Sequence, residues 1–147
     1  MLASTTQLNT PGMRFGTMAS VHAVTDVTGF GLLGHLLEVC RASNARARVE
    51  FAAIPLLPEA RELAGAGIVT GASARNWTGY GHAVTLADAV PDAGRALLTD
   101  PQTSGGLLIA CAPDAVAEVL AVFRDEGFGQ AAVIGEITSG AAHVAVA

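Results

Sequence analysis

The sequence predicts an α+β fold, in which helices pack on a mixed β-sheet. Two observations support this prediction: segments of alternating apolar residues interleave with segments whose apolar residues follow helical spacing, and no repeat or linker divides the chain. We therefore expect a single domain over residues 21–147. Residues 1–20 are expected to be a lead-in to it, and residues 1–12, which are polar and end in Pro-Gly, to be poorly ordered.

The first half of the domain is predicted to contain two strands and two helices. Residues 21–25 largely alternate between apolar and polar side chains and include β-branched residues, a pattern typical of a strand. Residues 32–42 carry leucines at helical spacing and should form a helix that Ser43-Asn44 ends. A second strand is expected over 47–54. A short helix over 59–66 lies between a proline and a glycine, an arrangement that helix ends favour.

The second half begins with residues 70–82, which are rich in Gly, Ser, Thr and Asn and are expected to form a long irregular segment. The other segments are, in order, a short helix leading to a third strand (83–99), an apolar strand (107–111), a helix (113–126) and two strands paired as a hairpin (131–137 and 143–146).

The composition excludes several functions. Among the 147 residues there are eight arginines, no lysine and thirteen acidic residues, which gives a net charge of −5. A Schiff-base lysine and a Gly-Lys phosphate loop are therefore excluded within this chain, and a nucleic-acid partner is not expected. Because 51% of residues are hydrophobic and only 14% are charged, we expect a partner or further domain to cover some apolar surface.

The two cysteines, Cys40 and Cys111, lie far apart in apolar surroundings and are predicted to be reduced core thiols. No apolar stretch is long enough to span a membrane. The polar N-terminus does not have the pattern of a secretion signal. These features predict a cytoplasmic protein with no membrane partner.

The first motif combines three glycines with a carboxylate at a strand end. Gly29, Gly31 and Gly34 form G-x-G-x-x-G between a strand and a helix, and Glu50 follows on the next strand. That pattern fits a dinucleotide site and makes an oxidoreductase one alternative. However, Asp26 would repel a pyrophosphate and is better suited to hold Mg²⁺ beside a bound phosphate. The other reading is that Asp26 caps the following helix or its turn.

The second motif runs from Asp100 to Gly106, with the sequence Asp-Pro-Gln-Thr-Ser-Gly-Gly. Thr103 and Ser104 offer hydroxyl donors, and Gly105 and Gly106 allow unusual backbone angles before an apolar strand. The segment is longer than a tight turn requires, which favours a ligand loop. An ordinary turn with side-chain hydrogen bonds is the alternative.

Together the two motifs, within residues 25–36 and 100–108, resemble selenophosphate synthetase (selenide, water dikinase). Shorter segments at 54–58, 66–69, 75–76 and 132–137 fit the same family in the same order. The resemblance extends from about Val21 to the C-terminus and covers only the family's C-terminal domain. It implies a fold like the C-terminal domain of aminoimidazole ribonucleotide synthase, with partly ferredoxin-like topology.

The resemblance also implies a function. The family converts selenide, ATP and water into selenophosphate, AMP and phosphate with Mg²⁺, and its members are homodimers. Asp26 would be the Mg²⁺ ligand, and the residues expected at the nucleotide phosphates are Gly29, Gly31, Thr103, Ser104, Gly105 and Gly106. The family's selenium-handling cysteine and its lysine lie in an N-terminal ATP-binding half that these residues do not include. No catalytic residue is therefore assigned here, and the chain alone is expected to lack synthetase activity.

Several questions stay open from sequence. Residues before Val21 fit the family poorly, which allows a fragment, a truncated reading frame or a degenerate copy. A non-catalytic dimerisation or regulatory module is a second functional alternative. His35 is expected to be a structural or interface residue, while Arg75 and Asn76 suit either phosphate contact or an ordinary loop. Trp77 and Tyr80 suit adenine stacking, but packing at a domain interface is the favoured interpretation.

Overall fold

Helices and strands are interspersed along residues 5–147, the part of the chain that the computed structural model describes. The helices are α1 (Pro11–Phe15), α2 (Gly31–Ser43), α3 (Ala60–Gly65), α4 (Gly71–Tyr80), α5 (Gly94–Thr99) and α6 (Val116–Asp125). The strands are β1 (Val21–Asp26), β2 (Ala45–Val49), β3 (Val84–Leu86), β4 (Leu107–Cys111), β5 (Gly135–Ser139) and β6 (His143–Val146). The predicted α+β class is confirmed.

The strands form two separate sheets. A four-stranded mixed sheet has the order β3-β6-β2-β5, in which β2 is parallel to β6 and antiparallel to β5. Strands β1 and β4 pair antiparallel as a two-stranded ribbon, here called the β1–β4 ribbon. In this ribbon Asp26, the last residue of β1, is opposite Leu107, the first residue of β4. The segments that follow β1 and precede β4 therefore meet at one end of the ribbon.

Two hydrophobic cores stabilise these layers. The larger core lies between α2 and the four-stranded sheet, and Leu33, Leu37 and Cys40 of α2 are completely buried in it. The smaller core joins α1 and α6 at the β1–β4 ribbon; in it the rings of Phe15 and Phe123 lie 4.8 Å apart. Because α2 packs on the sheet and also starts just after β1, it fixes the ribbon end relative to the larger core.

Several local predictions are confirmed. Strand β1, helix α2, strand β4 and helix α6 all lie where the sequence patterns placed them. Helix α2 ends at Asn44, which adopts a left-handed conformation with φ of 48°. Helix α3 lies within its predicted range, and Gly67 just beyond it has φ of 80°. None of the helices in residues 5–147 combines the length and apolar character needed to cross a bilayer.

The prediction of a poorly ordered lead-in is wrong at its C-terminal end. Pro11 and Phe15 of α1 are buried, and α1 contacts α6. The buried side chains of this short helix complete the smaller core, so tertiary packing orders a segment whose composition is polar. Residues 1–4, which belong to the same prediction, lie outside the described residues.

The predicted irregular segment 70–82 is also wrong, since it contains helix α4. Thr70 caps the helix, because its hydroxyl accepts a hydrogen bond from the Ser73 amide at 3.3 Å. Ser73 and Tyr80 are buried on the side that faces the rest of the protein. Glycines at both ends and polar residues between them weaken the sequence pattern of this helix. Its stability comes from packing against the rest of the protein.

Three details of the sheet differ from expectation. Strand β2 covers Ala45–Val49, and a 3₁₀ turn at Phe51–Ala53 replaces the second half of the predicted strand 47–54. Strand β3 precedes helix α5, the reverse of the predicted order. Strands β5 and β6 do not form a hairpin, because β2 lies between them and pairs with both.

Candidate functional site

Two loops meet at the end of the β1–β4 ribbon. Loop 1 (residues 27–30) joins β1 to α2, and loop 2 (residues 100–106) joins α5 to β4. The Val27 amide donates to the Gly106 carbonyl at 2.9 Å, and the Gln102 amide donates to the Thr28 carbonyl at 3.0 Å. The two motifs that carry the sequence resemblance are therefore brought together by direct backbone hydrogen bonds.

Two of the motif glycines are required by close backbone approach. A Cβ at Gly105 would lie 1.6 Å from the Val27 carbonyl oxygen. Gly31 has φ of 68°, and a Cβ there would lie 2.7 Å from the Thr99 carbonyl carbon. Gly105 thus allows loops 1 and 2 to touch, and Gly31 allows the start of α2 to approach the end of α5. Contact of either glycine with a nucleotide stays a prediction.

The other four predicted ligand residues are exposed. Gly29 and Gly106 are exposed, and a Cβ at either position would meet nothing within 4 Å. Thr103 and Ser104 are also exposed, with the Ser104 hydroxyl 3.5 Å from the Thr5 carbonyl. Gly29 and Gly106 therefore leave room beside the loop backbone, which a bound phosphate chain would need.

Side chains from two helices hold three consecutive residues of loop 1. His35 Nε2 lies 3.0 Å from the Thr28 hydroxyl. Asn76 Nδ2 donates to the Gly29 carbonyl at 2.9 Å, and the Tyr80 hydroxyl donates to the Phe30 carbonyl at 2.5 Å. Helix α4, which supplies Asn76 and Tyr80, is the element that sequence reasoning missed. No local signal marked these two side chains as partners of loop 1.

His35 is a buried part of this arrangement, in agreement with the structural role expected from sequence. The residue is 7% exposed. Nδ1 lies 3.2 Å from the Glu38 carboxylate, outside hydrogen-bond geometry, and has no hydrogen-bond partner among residues 5–147. The Thr28 contact is therefore the hydrogen bond that orients the ring.

Tyr80 is held protonated by its surroundings. Burial raises the pKa of its phenol to about 12, with a smaller opposing effect from a backbone hydrogen bond at Gly34. The neutral phenol is the form that donates to the Phe30 carbonyl. The bond from Tyr80 to loop 1 is therefore present throughout the physiological pH range.

The raised pKa of Tyr80 predicts that the protein loses stability at alkaline pH. The pKa of the folded phenol is raised to about 12, whereas its ordinary value is 10.0. The folded state thus binds more protons than the unfolded state between these values, and the free energy of unfolding should fall by about 2 kcal/mol as pH rises through them. Urea unfolding at pH 9 to 11.5 would measure this fall. Tyr80→Phe should lack that component, and an identical pH dependence in the two proteins would contradict the assignment.

Asp26 ends β1 with an exposed side chain. It does not cap helix α2, whose N-cap is Phe30 without a side-chain cap hydrogen bond, so the capping alternative for that helix is wrong. Among residues 5–147 no group of three or more His, Cys, Asp or Glu side chains is placed to hold a metal ion. One free carboxylate fits Mg²⁺ only where phosphate oxygens and other donors complete its shell.

Loop 2 is anchored on both sides. The Asp100 carboxylate accepts a hydrogen bond from the Thr70 hydroxyl at 3.0 Å, which links the loop to the start of α4. Asn9 Nδ2 donates to the Gly105 carbonyl at 2.9 Å. Asn9 belongs to the segment predicted as a lead-in, so sequence analysis missed its contact with the second motif.

The dinucleotide alternative fails on topology. A dinucleotide-binding unit needs two parallel neighbouring strands joined by the glycine loop and helix. Here β1 pairs antiparallel with β4, and β2 belongs to the other sheet. Glu50, the predicted ribose ligand, lies 3.0 Å from the Arg48 guanidinium. The motif of Gly29, Gly31 and Gly34 therefore belongs to a different fold.

The remaining predicted residues lie around the site or away from it. Arg75 is exposed on α4, and Trp77 is half-buried with the Arg95 guanidinium 5.5 Å from its ring centre. Cys40 is a free thiol buried in the larger core, and burial raises its pKa. Cys111 is a half-buried free thiol at the other end of β4, with its pKa also raised by burial. The thiols are protonated packing groups, as predicted.

Known sequences similar to this chain include several selenide, water dikinases. The chain is 58% identical over 146 residues to a selenide, water dikinase of Paraburkholderia xenovorans, covering 99% of this chain and 41% of that protein. It is 49% identical over 146 residues to the selenide, water dikinase of Rhizobium meliloti, covering 42% of that protein. The matched region includes the residues before Val21 that fitted the family poorly. The chain spans about two fifths of the length of these relatives.

Comparison with solved structures supports the fold. Escherichia coli HypE, a hydrogenase maturation protein, matches with a TM-score of 0.65 and 21% identity over 94% of this chain and 35% of HypE. A HypE structure in complex with ATP matches with a TM-score of 0.58 and 21% identity, over 86% of this chain and 32% of that one. At this identity the likeness concerns the fold alone.

The family assignment rests on most of the chain. Residues 14–147 match the family described as AIR synthase related protein, C-terminal domain. This match confirms the superfamily that the two motifs indicated, and the relatives confirm the resemblance to selenide, water dikinases. The α+β architecture and the HypE likeness agree with it. The chain therefore belongs to the family of AIR synthase related proteins and represents its C-terminal domain.

Proposed function

We propose that this chain is the C-terminal part of a selenophosphate synthetase, which makes selenophosphate, AMP and phosphate from selenide, ATP and water. The observation that carries the proposal is the junction of loops 1 and 2, because the two most family-specific motifs share one exposed edge through backbone hydrogen bonds. The names of the relatives and their identity over nearly the whole chain support the same reaction.

In the proposed reaction the chain binds and orients the ATP phosphates. Asp26 would contribute one carboxylate oxygen to Mg²⁺, and the exposed glycines and hydroxyls of the loops would donate hydrogen bonds to phosphate oxygens. When bound, Mg²⁺ would neutralise negative charge on the phosphate oxygens. The tertiary contacts of loops 1 and 2 preorganise these groups, which reduces the reorganisation needed during phosphoryl transfer.

The proposal requires parts beyond these residues. Selenide handling and the lysine of the family would come from an N-terminal ATP-binding half, consistent with relatives that are more than twice as long. A homodimer and a cytoplasmic location belong to the same proposal. Exposed apolar side chains outside both cores, Leu57, Leu63, Ile68 and Val69 among them, give such a half or a second copy an apolar surface to cover.

A hybrid protein tests the function. The N-terminal part of the Paraburkholderia xenovorans relative would be joined to this chain in place of its own matching segment. We expect the hybrid to form AMP from ATP in a selenide-dependent manner, with selenophosphate detected by ³¹P NMR. The 147-residue chain alone should form none, because the family's selenium-handling cysteine and its lysine are expected in the N-terminal half, and this chain has no lysine.

Two controls test whether the activity of the hybrid depends on this chain and on selenide. The N-terminal part without this chain should be inactive, and omission of selenide should abolish selenophosphate. A hybrid that folds and binds Mg²⁺-ATP but forms neither product would contradict the proposed function and favour a non-catalytic module. AMP formation by the isolated chain would contradict the assignment of catalysis to the missing half.

A further inference from the structure

Asn76 occupies an unusual position for an asparagine. It lies in the middle of helix α4, where its side chain disfavours the helix because it competes for backbone hydrogen bonds. The side chain is half-buried and turned towards the rest of the protein. Its amide nitrogen donates to two carbonyls, Gly29 O at 2.9 Å and Thr99 O at 2.9 Å. Both donor hydrogens of the amide are therefore used.

The two acceptors belong to the two halves of the candidate site. Gly29 lies in loop 1, 47 positions from Asn76 in sequence, and Thr99 is the last residue of α5, directly before loop 2. Gly31 packs against the Thr99 backbone at the same place. One amide group thus links the middle of loop 1 to the residue before loop 2, in addition to the backbone hydrogen bonds between the loops.

Helix α4 does not depend on Asn76 for its own position. The Ser73 hydroxyl lies 2.6 Å from the Thr99 hydroxyl in a buried contact and 3.2 Å from the Ala96 carbonyl. Tyr80 is buried at the other end of the helix. Loss of the Asn76 amide would therefore leave α4 docked on α5 and remove two of the contacts that position the loops, while the backbone hydrogen bonds from Val27 and Gln102 remain.

We propose that Asn76 is a positioning residue that holds loops 1 and 2 at the spacing needed for Asp26 and the loop donors to act on one phosphate chain. The role in turnover rests on the proposed function, whereas the link between the loops does not. Asn76 itself touches no reacting atom in this assignment; it acts through the carbonyls of Gly29 and Thr99. Sequence alone left Asn76 open between phosphate contact and an ordinary loop residue.

Hydrogen exchange on the 147-residue chain tests the link. In Asn76→Ala we expect amide exchange in both loops to accelerate about tenfold, the effect of losing roughly one to two net hydrogen bonds. Exchange in α2 and β4 should be unchanged. Thr78→Ala is the matched control, because the exposed Thr78 hydroxyl donates to Ala74 O within α4. Unchanged exchange in either loop of Asn76→Ala would overturn the proposal.

Kinetics of the hybrid test the positioning role. We expect Asn76→Ala to lower kcat about tenfold with a smaller change in KM for ATP, since misplaced groups cost more in the transition state than in binding. Asn76→Gln keeps the amide and should restore part of both kcat and loop protection. Parental kcat in Asn76→Ala would overturn the positioning role even if the loops exchange faster. An inactive parental hybrid would instead contradict the proposed function, and the exchange result on the chain alone would then decide the role of Asn76.

If Asn76→Ala does not fold, as judged by circular dichroism, Asn76→Gln carries the exchange test by itself. Its longer side chain cannot reproduce both 2.9 Å contacts without a shift, so exchange in both loops should rise measurably above the parent. Exchange equal to that of the parent in both loops would overturn the proposal.

Discussion

Replacement of Gly105 by alanine is expected to separate the two loops and to destabilise the protein. The new Cβ would lie 1.6 Å from the Val27 carbonyl oxygen, and this contact involves backbone that no side-chain rotation can relieve. Separation would also strain the neighbouring bond from the Val27 amide to the Gly106 carbonyl. Overpacking together with a weakened hydrogen bond should lower the free energy of unfolding by about 2–4 kcal/mol. Urea denaturation of the 147-residue chain would measure the change.

The adjacent glycine supplies a matched control. A Cβ at Gly106 would meet nothing within 4 Å, and Gly106 is exposed. Gly106→Ala should therefore change the free energy of unfolding by no more than about 0.5 kcal/mol. Equal stabilities of the two alanine variants would show that Gly105 does not approach Val27 as closely as the structure places it.

Replacement of Asp26 by asparagine is expected to abolish most turnover in the hybrid and to leave the fold intact. The exposed side chain lies at the end of β1, so its loss of charge costs little packing. If the carboxylate holds Mg²⁺ against the phosphates, a neutral amide should lower kcat by about 100-fold or more, since metal ions supply several kcal/mol of charge stabilisation. The measurement is selenide-dependent AMP formation at saturating ATP.

A carboxylate at the opposite end of the β1–β4 ribbon provides the comparison. Asp114 is exposed and follows β4, whereas Asp26 pairs with the first residue of β4. Asp114→Asn removes the same charge and should retain parental turnover. If Asp26→Asn is as active as its parent, Asp26 is not a metal ligand and the proposed division of labour between the two halves is wrong.

The contrast between predicted and missed elements has a simple physical basis. Strands β1 and β4 and helix α2 were predicted because period-2 and period-3.6 patterns are local properties of the chain. Helix α4 was missed because glycines and polar residues weaken its local signal. Its buried Ser73 and Tyr80 stabilise it through contacts with distant segments.

The sheet order shows the same limit. The predicted hairpin of the last two strands assumed that neighbours in sequence pair in space. In the structure β2, which comes far earlier in the chain, lies between β5 and β6 and bonds to both. Which strands pair depends on interactions throughout the sheet, so local sequence patterns do not predict the strand order.

For the candidate site, sequence alone determined the two motifs, the resemblance they carry, Asp26 as the candidate metal ligand and the absence of lysine chemistry in this chain. These follow from residue type and spacing. Only the tertiary structure decided that the motifs meet, that Gly31 and Gly105 serve close packing, and that Asn76 links the loops across 47 positions of sequence. The reason is that the chemistry of each side chain follows from its residue type, whereas a site forms through contacts between segments that folding brings together.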